Sequence, residues 1–253
     1  MNRRVLGAVL GAALALASVG CVKPSPYAKL PHVSQREWDR GRATLASARA
    51  ELPKAPYVLV VAVDMFEPRS GRTFTARGGL AVSPGRALRL QLLGPGGSTA
   101  LDAWLTRARF RFDVPAANVH MRGRVDGPEA DGLPVGFLRF WFLTQLDGRL
   151  LFAKPTREGT YLVLRDGAAT VEMFRASAGG HVEAARVARG LSLVEELSVD
   201  AHGSRPEAGD RATYRATVAL GGGQTTFGLM ARVRVESVGD EAPDPAAFEE
   251  PAQ

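Results

Sequence analysis

The residues of this sequence that could take part in covalent chemistry begin with its one cysteine, Cys21. The cysteine ends the motif "SVGC", which closes the uncharged run "VLGAVLGAALALASVG" after Arg3 and Arg4. This run is too short for a hydrocarbon core, which needs about 20 apolar residues, so it predicts an export signal over residues 1–20. Small residues before a lone cysteine are typical of a bacterial lipoprotein cleavage site, where the new N-terminal cysteine receives lipid. An ordinary secretory signal that happens to contain a cysteine is the alternative.

The other chemically active residue types form no catalytic or metal-binding pattern. The sequence has no G-x-S-x-G motif, no H-E-x-x-H motif and no cysteine pair for zinc, and "GPGGST" lacks the lysine of a phosphate-binding loop. Glu195 and Glu196 are adjacent, so on a strand they point to opposite faces and cannot act as an acid/base pair. The four histidines are scattered: His32, His120, His181 and His202. We therefore expect neither an enzyme nor a metal or cofactor site.

The charge of the chain favours a membrane surface as its partner. The chain carries 32 lysines and arginines against 26 aspartates and glutamates, a net charge of +6. Residues 238–253 contain acids and prolines but no basic residue, a composition that predicts a disordered acidic tail. The remaining body is more basic still and would be attracted to anionic lipid. Nucleic acid is the alternative, but the export signal and the alternation of basic residues along strands argue against it.

The first ordered element is predicted to be an amphipathic helix. Residues 21–33 contain three prolines and predict a stiff tether between the lipid and this helix. Ser34 and Glu37 have the S-x-x-E spacing of a capping box, and Val33 and Trp38 are placed for a hydrophobic staple. Trp38, Leu45 and Leu52 recur every seven residues and form one apolar stripe. The helix therefore covers another part of the protein, and it ends before two prolines.

From Tyr57 onward the hydrophobic period changes to two, which predicts short antiparallel strands. In the third segment Leu88, Leu90 and Leu92 face one way, and in the fifth Phe110 and Phe112 do the same. The predicted strands are "YVLVVAVDM", "FTARGGLAV", "ALRLQLL", "TALDAWL", "RFRFDV", "VHMRGRV", "RLLFA", "TYLVLR", "TVEMFR", "HVEAARV", "LSLVEEL", "ATYRATVAL" and "TTFGLMARVRVE". This many strands in one chain predicts a barrel or a strongly curved sheet with one apolar face.

One central segment departs from the strand pattern. "GLPVGFLRFWFLTQL", Gly132 to Leu146, carries a single charge, Arg139, and is apolar nearly all round. A helix of this kind is buried on more than one face or lies in contact with lipid. Periodicity alone leaves a core strand open as an alternative. We favour a helix inside the mouth of the curved sheet, because Pro134 suits the first turn of a helix.

Two of these segments resemble the LolB family of outer-membrane lipoprotein receptors within the LolA and LolB-like superfamily. The segments are "RLQLLGPGGSTALDAWL" and "GLPVGFLRFWFL", and in the second Leu133, Pro134, Leu138 and Trp141 keep the family's Leu-Pro-x-x-x-Leu-x-x-Trp spacing. The lipoprotein signal, the N-terminal helix and the order of elements also agree. The similarity covers most of residues 34–236, and we assign residues 34–237 to one LolB-like domain.

The resemblance implies a mainly β fold with helices (α+β). It is an incomplete antiparallel β-barrel of about 11 strands, with an N-terminal helix and a plug helix on its concave side. Such a fold would hold acyl chains in an apolar cavity, without catalysis or cofactor. We expect the following residues to line that cavity: Leu88, Leu90, Leu92, Phe110, Phe112, Phe137, Trp141, Val163 and Met173.

The resemblance also implies a location and partners. Val22 follows Cys21 where an inner-membrane lipoprotein has aspartate, so we expect a lipid anchor in the outer membrane, with the protein facing the periplasm. We also expect a monomer. Its partners would be the acyl chains of lipoproteins or lipids and a soluble LolA-like carrier. In the family, the turn that corresponds to "GPGG" carries an exposed leucine, which enters the membrane. Here Gly96 takes that place, between Pro95 and Gly97, and we predict a membrane-facing hairpin turn without the apolar side chain. The alternative is a structural or assembly lipoprotein of the envelope whose cavity is filled by its own side chains.

Overall fold

One antiparallel sheet forms most of the chain in the computed structural model. The structure describes residues 33–67, 71–130, 133–167, 169–177, 180–189, 193–203, 205–218 and 230–251. The predicted export signal, Cys21 and all but the last residue of the tether lie outside these ranges. The strands are β1 (Tyr57–Glu67), β2 (Arg72–Ser83), β3 (Ala87–Leu93), β4 (Thr99–Thr106), β5 (Arg109–Val114), β6 (Val119–Arg124), β7 (Arg149–Pro155), β8 (Gly159–Asp166), β9 (Ala169–Ala176), β10 (Val182–Arg189), β11 (Leu193–Asp200), β12 (Arg211–Val218) and β13 (Met230–Val238).

The strand order is β6-β5-β4-β3-β2-β1-β13-β12-β11-β10-β9-β8-β7, and each neighbouring pair is antiparallel. The first and last strands of the chain therefore meet in the middle of the sheet, and β6 and β7 are its edges. Because these edges do not pair within the described residues, the barrel is not closed. This confirms the predicted incomplete antiparallel barrel, with 13 strands in place of about 11. Every segment predicted as a strand contains one.

Alternation along the strands gives the sheet one apolar face, which we call the inner face. Leu88, Leu90 and Leu92 of β3 are buried and lie opposite Leu105, Ala103 and Leu101 of β4, which are buried as well. The same pairing of buried residues continues across β1, β2, β5 and β8–β13. The hydrophobic core therefore lies between this face and the helices that cover it.

Helix α1 (Gln35–Glu51) is the first cover. It begins with the predicted capping box, in which the Ser34 amide donates to Glu37 Oε2 (2.8 Å) and the Glu37 amide donates to Ser34 Oγ (3.3 Å). Gly41 lies against Ala153 of β7, where an added Cβ would come 2.2 Å from the alanine Cβ. Lys154 of β7 forms an ion pair with Glu37. The helix is thus fixed against β7 by both close packing and charge.

The second cover is the plug segment, Val135–Leu143, which lies between the edge strands in the sequence. It consists of helix α2 (Val135–Leu138) and a π-helical turn over Arg139–Leu143. The segment is therefore helical, as predicted, and the alternative of a core strand is wrong. The helical part is shorter than the segment Gly132–Leu146. All of its residues except Arg139 and Trp141 are buried. Arg139 donates to Asp166 Oδ2 (2.7 Å) and to the carbonyl oxygen of Arg107 (2.9 Å).

The C-terminal tail, for which we predicted disorder over 238–253, contacts the sheet as far as the structure describes it. Phe248 is buried (6% exposed), and its carbonyl oxygen accepts a hydrogen bond from Trp104 Nε1 (3.1 Å). Arg111 donates to the carbonyl oxygen of Pro251 (2.9 Å). The acidic composition predicted disorder, but the helical turn Pro245–Phe248 packs against β2 and β3, and Glu250 pairs with Arg109 of β5.

Candidate functional site

A cavity of about 230 Å³ lies between α1, the plug segment and the inner face of the sheet, and we call it the inner cavity. Ala48 of α1 and Leu52, directly after the helix, contribute to its wall. Other apolar wall residues come from β1, the plug segment and the chain just after it, β10, β11 and β13: Tyr57, Leu59, Val61, Trp141, Phe142, Leu143, Leu146, Val182, Val199, Val233 and Val235. One part of the cavity wall is therefore apolar.

Polar residues form the rim of this cavity, most of them in loops and Arg175 in β9. They are Arg107, Gln145, Asp147, Arg175, His181, Arg205 and Asp210. Arg107 and Asp147 form an ion pair with each other, and Arg175 pairs with Glu51 of α1 (2.6 Å). The cavity is thus apolar inside and charged at its rim.

The structure places most of the predicted lining residues elsewhere. Leu88, Leu90, Leu92, Phe110, Phe112 and Met173 are buried in the hydrophobic core and are not part of the cavity wall. Phe137 is also in the core, where its ring stacks on Tyr214 with centroids 4.6 Å apart. Among the nine predicted residues, Trp141 alone lines the cavity.

The assignment of Val163 to the inner face is wrong. Leu162 and Leu164 are fully buried on that face, and Val163 points the other way, opposite Glu172 of β9. The error has a simple cause: "TYLVLR" is apolar at both odd and even positions, so its period does not determine which residues face inward.

Aromatic rings of the plug segment explain why the free space is confined to one part of the inner face. Trp141 stacks on Phe142 with centroids 4.9 Å apart, and the Phe137 ring lies 5.3 Å from that of Trp141. Together with the Phe137–Tyr214 stack, these rings fill the space over β12, where Tyr214 lies. The cavity remains beside the far end of the plug segment, next to Leu143 and Leu146.

Glu195 of β11 positions the plug segment, whereas the sequence pattern indicated only that it is one of two adjacent glutamates. The two glutamates do face opposite ways, since Glu195 is buried (3% exposed) and Glu196 is exposed. Glu195 Oε1 accepts hydrogen bonds from the Phe137 amide (3.1 Å) and the Tyr214 hydroxyl (2.9 Å). This carboxylate thereby attaches the first turn of the plug segment to the sheet. Glu195 stands two residues before Leu197 and therefore on the same, inward face of the strand. A charged residue at such a position could have indicated this role.

The loop between β11 and β12 forms one side of the cavity and is organised by Asp210 (4% exposed). The Asp210 carboxylate accepts hydrogen bonds from the His202 amide (3.1 Å), His202 Nδ1 (2.8 Å) and the Glu207 amide (2.8 Å). The hydrogen bond that His202 donates to the Asp210 carboxylate, together with the negative charge of that carboxylate, raises the pKa of His202 above the ordinary 6.5. The shape of this wall therefore depends on a titratable contact.

The predicted hairpin turn lies far from the cavity. Pro95, Gly96 and Gly97 are exposed, and both glycines have a positive φ (78° and 77°), as a tight turn between β3 and β4 requires. The cavity is lined instead by Pro84 and Gly85 of the β2–β3 turn, at the opposite ends of these strands.

Two features are absent from the described residues. They contain no group of three or more histidine, cysteine, aspartate or glutamate side chains that could bind a metal ion. None of their helices has the length and apolar character needed to span a membrane.

An open antiparallel half-barrel with a helical plug on its inner face and an apolar cavity beneath it defines the structural class of this protein. Three solved structures are similar to this chain in fold over most of their length. A LolA superfamily protein from Nitrosomonas europaea has a TM-score of 0.50 at 11% identity, covering 83% of this chain and 97% of that one. A putative outer membrane lipoprotein-sorting protein domain from Vibrio parahaemolyticus has a TM-score of 0.53 at 10% identity, covering 83% and 96%. A DUF1329 family protein from Desulfovibrio piger has a TM-score of 0.52 at 10% identity, covering 84% and 97%.

At these identities the likeness shows the fold, and the chain has the fold of the LolA superfamily. This agrees with the superfamily predicted from the sequence and does not distinguish the LolB family within it. No protein-family model matches the sequence, and no curated protein sequence matches it.

We predict that Glu195→Ala lowers the free energy of unfolding and that Glu195→Gln does so much less. The alanine variant leaves the Phe137 amide and the Tyr214 hydroxyl without their acceptor, at a cost of about 1–3 kcal/mol for each buried donor. The glutamine carbonyl can still accept both hydrogen bonds. Urea unfolding of the two variants measures the difference. Equal stability of the alanine variant and the parent protein would contradict the role of Glu195.

We also predict that the β11–β12 loop is less protected above neutral pH. The pKa of His202 is raised in the folded protein, so its contact with Asp210 contributes stability that is complete below about pH 6.5 and is lost as the pH rises through the folded pKa. Amide hydrogen exchange at Glu207, whose N–H is bound to Asp210, measures this loss as a fall in the protection factor. His202→Gln is the control, and the same pH dependence in that variant would exclude His202 as the cause.

Proposed function

We propose that this chain is a lipid-anchored envelope protein that binds acyl chains in the inner cavity and takes part in the localisation of lipoproteins to the outer membrane. The observation that carries the proposal is the inner cavity itself, which is apolar within and bounded by two helical segments that are not part of the sheet. Burial of each methylene group of an acyl chain contributes about 0.8 kcal/mol, so binding needs few directional contacts. The lack of a catalytic or metal cluster among the described residues is compatible with such a carrier.

The anchor and the location belong to the same proposal. Lipid on Cys21, after removal of residues 1–20, would tether the protein to the periplasmic side of the outer membrane. One structure of the same fold is named as a putative outer membrane lipoprotein-sorting protein domain, which supports a role in sorting. The donor of the acyl chains would be a soluble LolA-like carrier, and the protein would act as a monomer.

One observation favours the second candidate, a structural or assembly lipoprotein. Part of the inner face is filled by the aromatic rings of the plug segment, and the cavity of about 230 Å³ is smaller than ordinary small-molecule sites of roughly 300–1,000 Å³. Cargo with several acyl chains would need the plug segment to move. Binding experiments separate the two candidates.

We predict that the chain takes up an acyl probe and that Val199→Trp prevents it. Val199 lines the cavity, so a tryptophan side chain there fills the space that the probe needs. We expect the affinity of the Cys21→Ser chain for a fluorescent acyl probe to fall at least about tenfold, or 1.4 kcal/mol. The matched control is Val163→Trp, on the outer face, which leaves the affinity unchanged. Absence of uptake by the parent protein, together with absence of co-purified lipid in mass spectrometry, would favour the structural role.

The β3–β4 turn is proposed to face the membrane. Leu93, which lies directly before the turn, is 47% exposed, and Phe74 of β2, at the same end of these strands, is 52% exposed. These two apolar side chains offer contact with lipid that Gly96 does not.

We predict that Gly96→Leu increases the binding of the unanchored protein to liposomes. A leucine side chain gains about 1.5–3 kcal/mol on leaving water. The positive φ strains any side chain at this position, but the strain is present in both the free and the bound protein. Gly96→Ala carries the same strain with little apolar surface and is the control in a liposome sedimentation assay. If the leucine and alanine variants sediment equally, this turn does not face the bilayer.

A further inference from the structure

We propose that the inner cavity binds a single acyl chain that ends in a carboxylate, a fatty acid, with the carboxylate between Arg205 and His181 at the rim. This inference rests on the proposed function, acyl-chain binding, and adds the chemistry of the head group. It follows from how the polar groups of the rim are paired.

The cavity has an apolar deep end and a polar end. Leu59 and Val61 of β1 are 1% exposed and form part of its floor. Arg107 and Arg205, in loops at the rim, are exposed, and His181 is half-buried between them and the floor residue Val182. A ligand with one long apolar part and one polar end matches this arrangement.

The acids near the rim already have partners. Asp210 accepts hydrogen bonds from two backbone amides and from His202. Asp147 pairs with Arg107, and Glu51 pairs with Arg175. Arg205, by contrast, has no ion pair within the described part of the chain. One positive charge of the rim is therefore available to a ligand.

His181 supplies the second polar group. Its Nδ1 atom is buried, although the residue as a whole is half-buried, and no hydrogen-bond partner for this atom is found among the residues that the structure describes. A buried polar atom without a partner is uncommon in folded proteins and calls for one. Nδ1 can carry the proton of the imidazole, and a carboxylate is an acceptor that can bind both this N–H and a guanidinium.

The size of the cavity limits the ligand to one chain. A volume of about 230 Å³ does not accommodate two or three acyl chains side by side. The fatty acid therefore differs from a lipoprotein N-terminus in two respects, since it has a single chain and a negative charge at its end.

The experiment compares an acid with its uncharged counterpart. Quenching of tryptophan fluorescence reports binding of a terminally brominated octanoic acid or the matching brominated octanol to the full chain carrying Cys21→Ser, because Trp141 lines the cavity. We expect the acid to bind at least about tenfold more tightly than the alcohol. Arg205→Gln should reduce this preference to less than about threefold without weakening the alcohol. His181→Phe should also reduce the preference for the acid over the alcohol.

Arg215→Gln is the matched control, since Arg215 is an exposed arginine of β12 and is not part of the cavity. It should leave the preference for the acid unchanged. Equal affinities for acid and alcohol in the parent protein would overturn the fatty-acid assignment and leave acyl binding intact. An equal effect of Arg205→Gln on both compounds would also overturn it. Failure of both compounds to quench would overturn the proposed function as well.

Discussion

Burial of the plug segment against an open sheet is the interaction on which the rest of this structure depends. The sheet has a large apolar face that no second sheet covers, and α1 alone lies mainly on β7 and β8. The plug segment covers another part, at β2, β3, β4 and β11, with four aromatic side chains, three of them buried. It also decides where space remains, because its rings fill this part of the inner face and leave the inner cavity beside its end.

Several polar groups within this apolar contact form hydrogen bonds. The amide of Phe137 in the first turn of the plug segment reaches a buried carboxylate, Glu195, which the Tyr214 hydroxyl also binds. Arg139, the one charge of the segment, is held by Asp166 and by a carbonyl oxygen. Such groups contribute modestly to stability when paired but cost much when a partner is removed. They therefore fix the position of the plug more than they hold the fold together.

The sequence predicted the fold better than the site, for a physical reason. A period of two and a capping box are local patterns, so the strands and the start of α1 could be derived from neighbouring residues. The cavity is what packing leaves over, and it depends on how Phe137 and Trp141 meet side chains that are distant in the sequence. For this reason Leu88 and Phe110 were correctly predicted to face inward but lie in the solid core. The burial of Phe248 could not be predicted for the same reason, because nothing in its acidic segment indicates a hydrogen bond with Trp104.

The unpaired edges of the sheet have a mechanical consequence. Within the described residues no backbone ladder joins β6 to β7, and the two halves of the sheet are linked across this gap by side chains. The ion pairs Arg107–Asp147 and Arg139–Asp166 are among these links. A wider gap would separate such pairs while every strand-to-strand hydrogen bond stayed in place, with the central strands β1 and β13 as the hinge. Such a separation would therefore act on these charged pairs and on the apolar contacts of the plug segment, and not on the strand ladders.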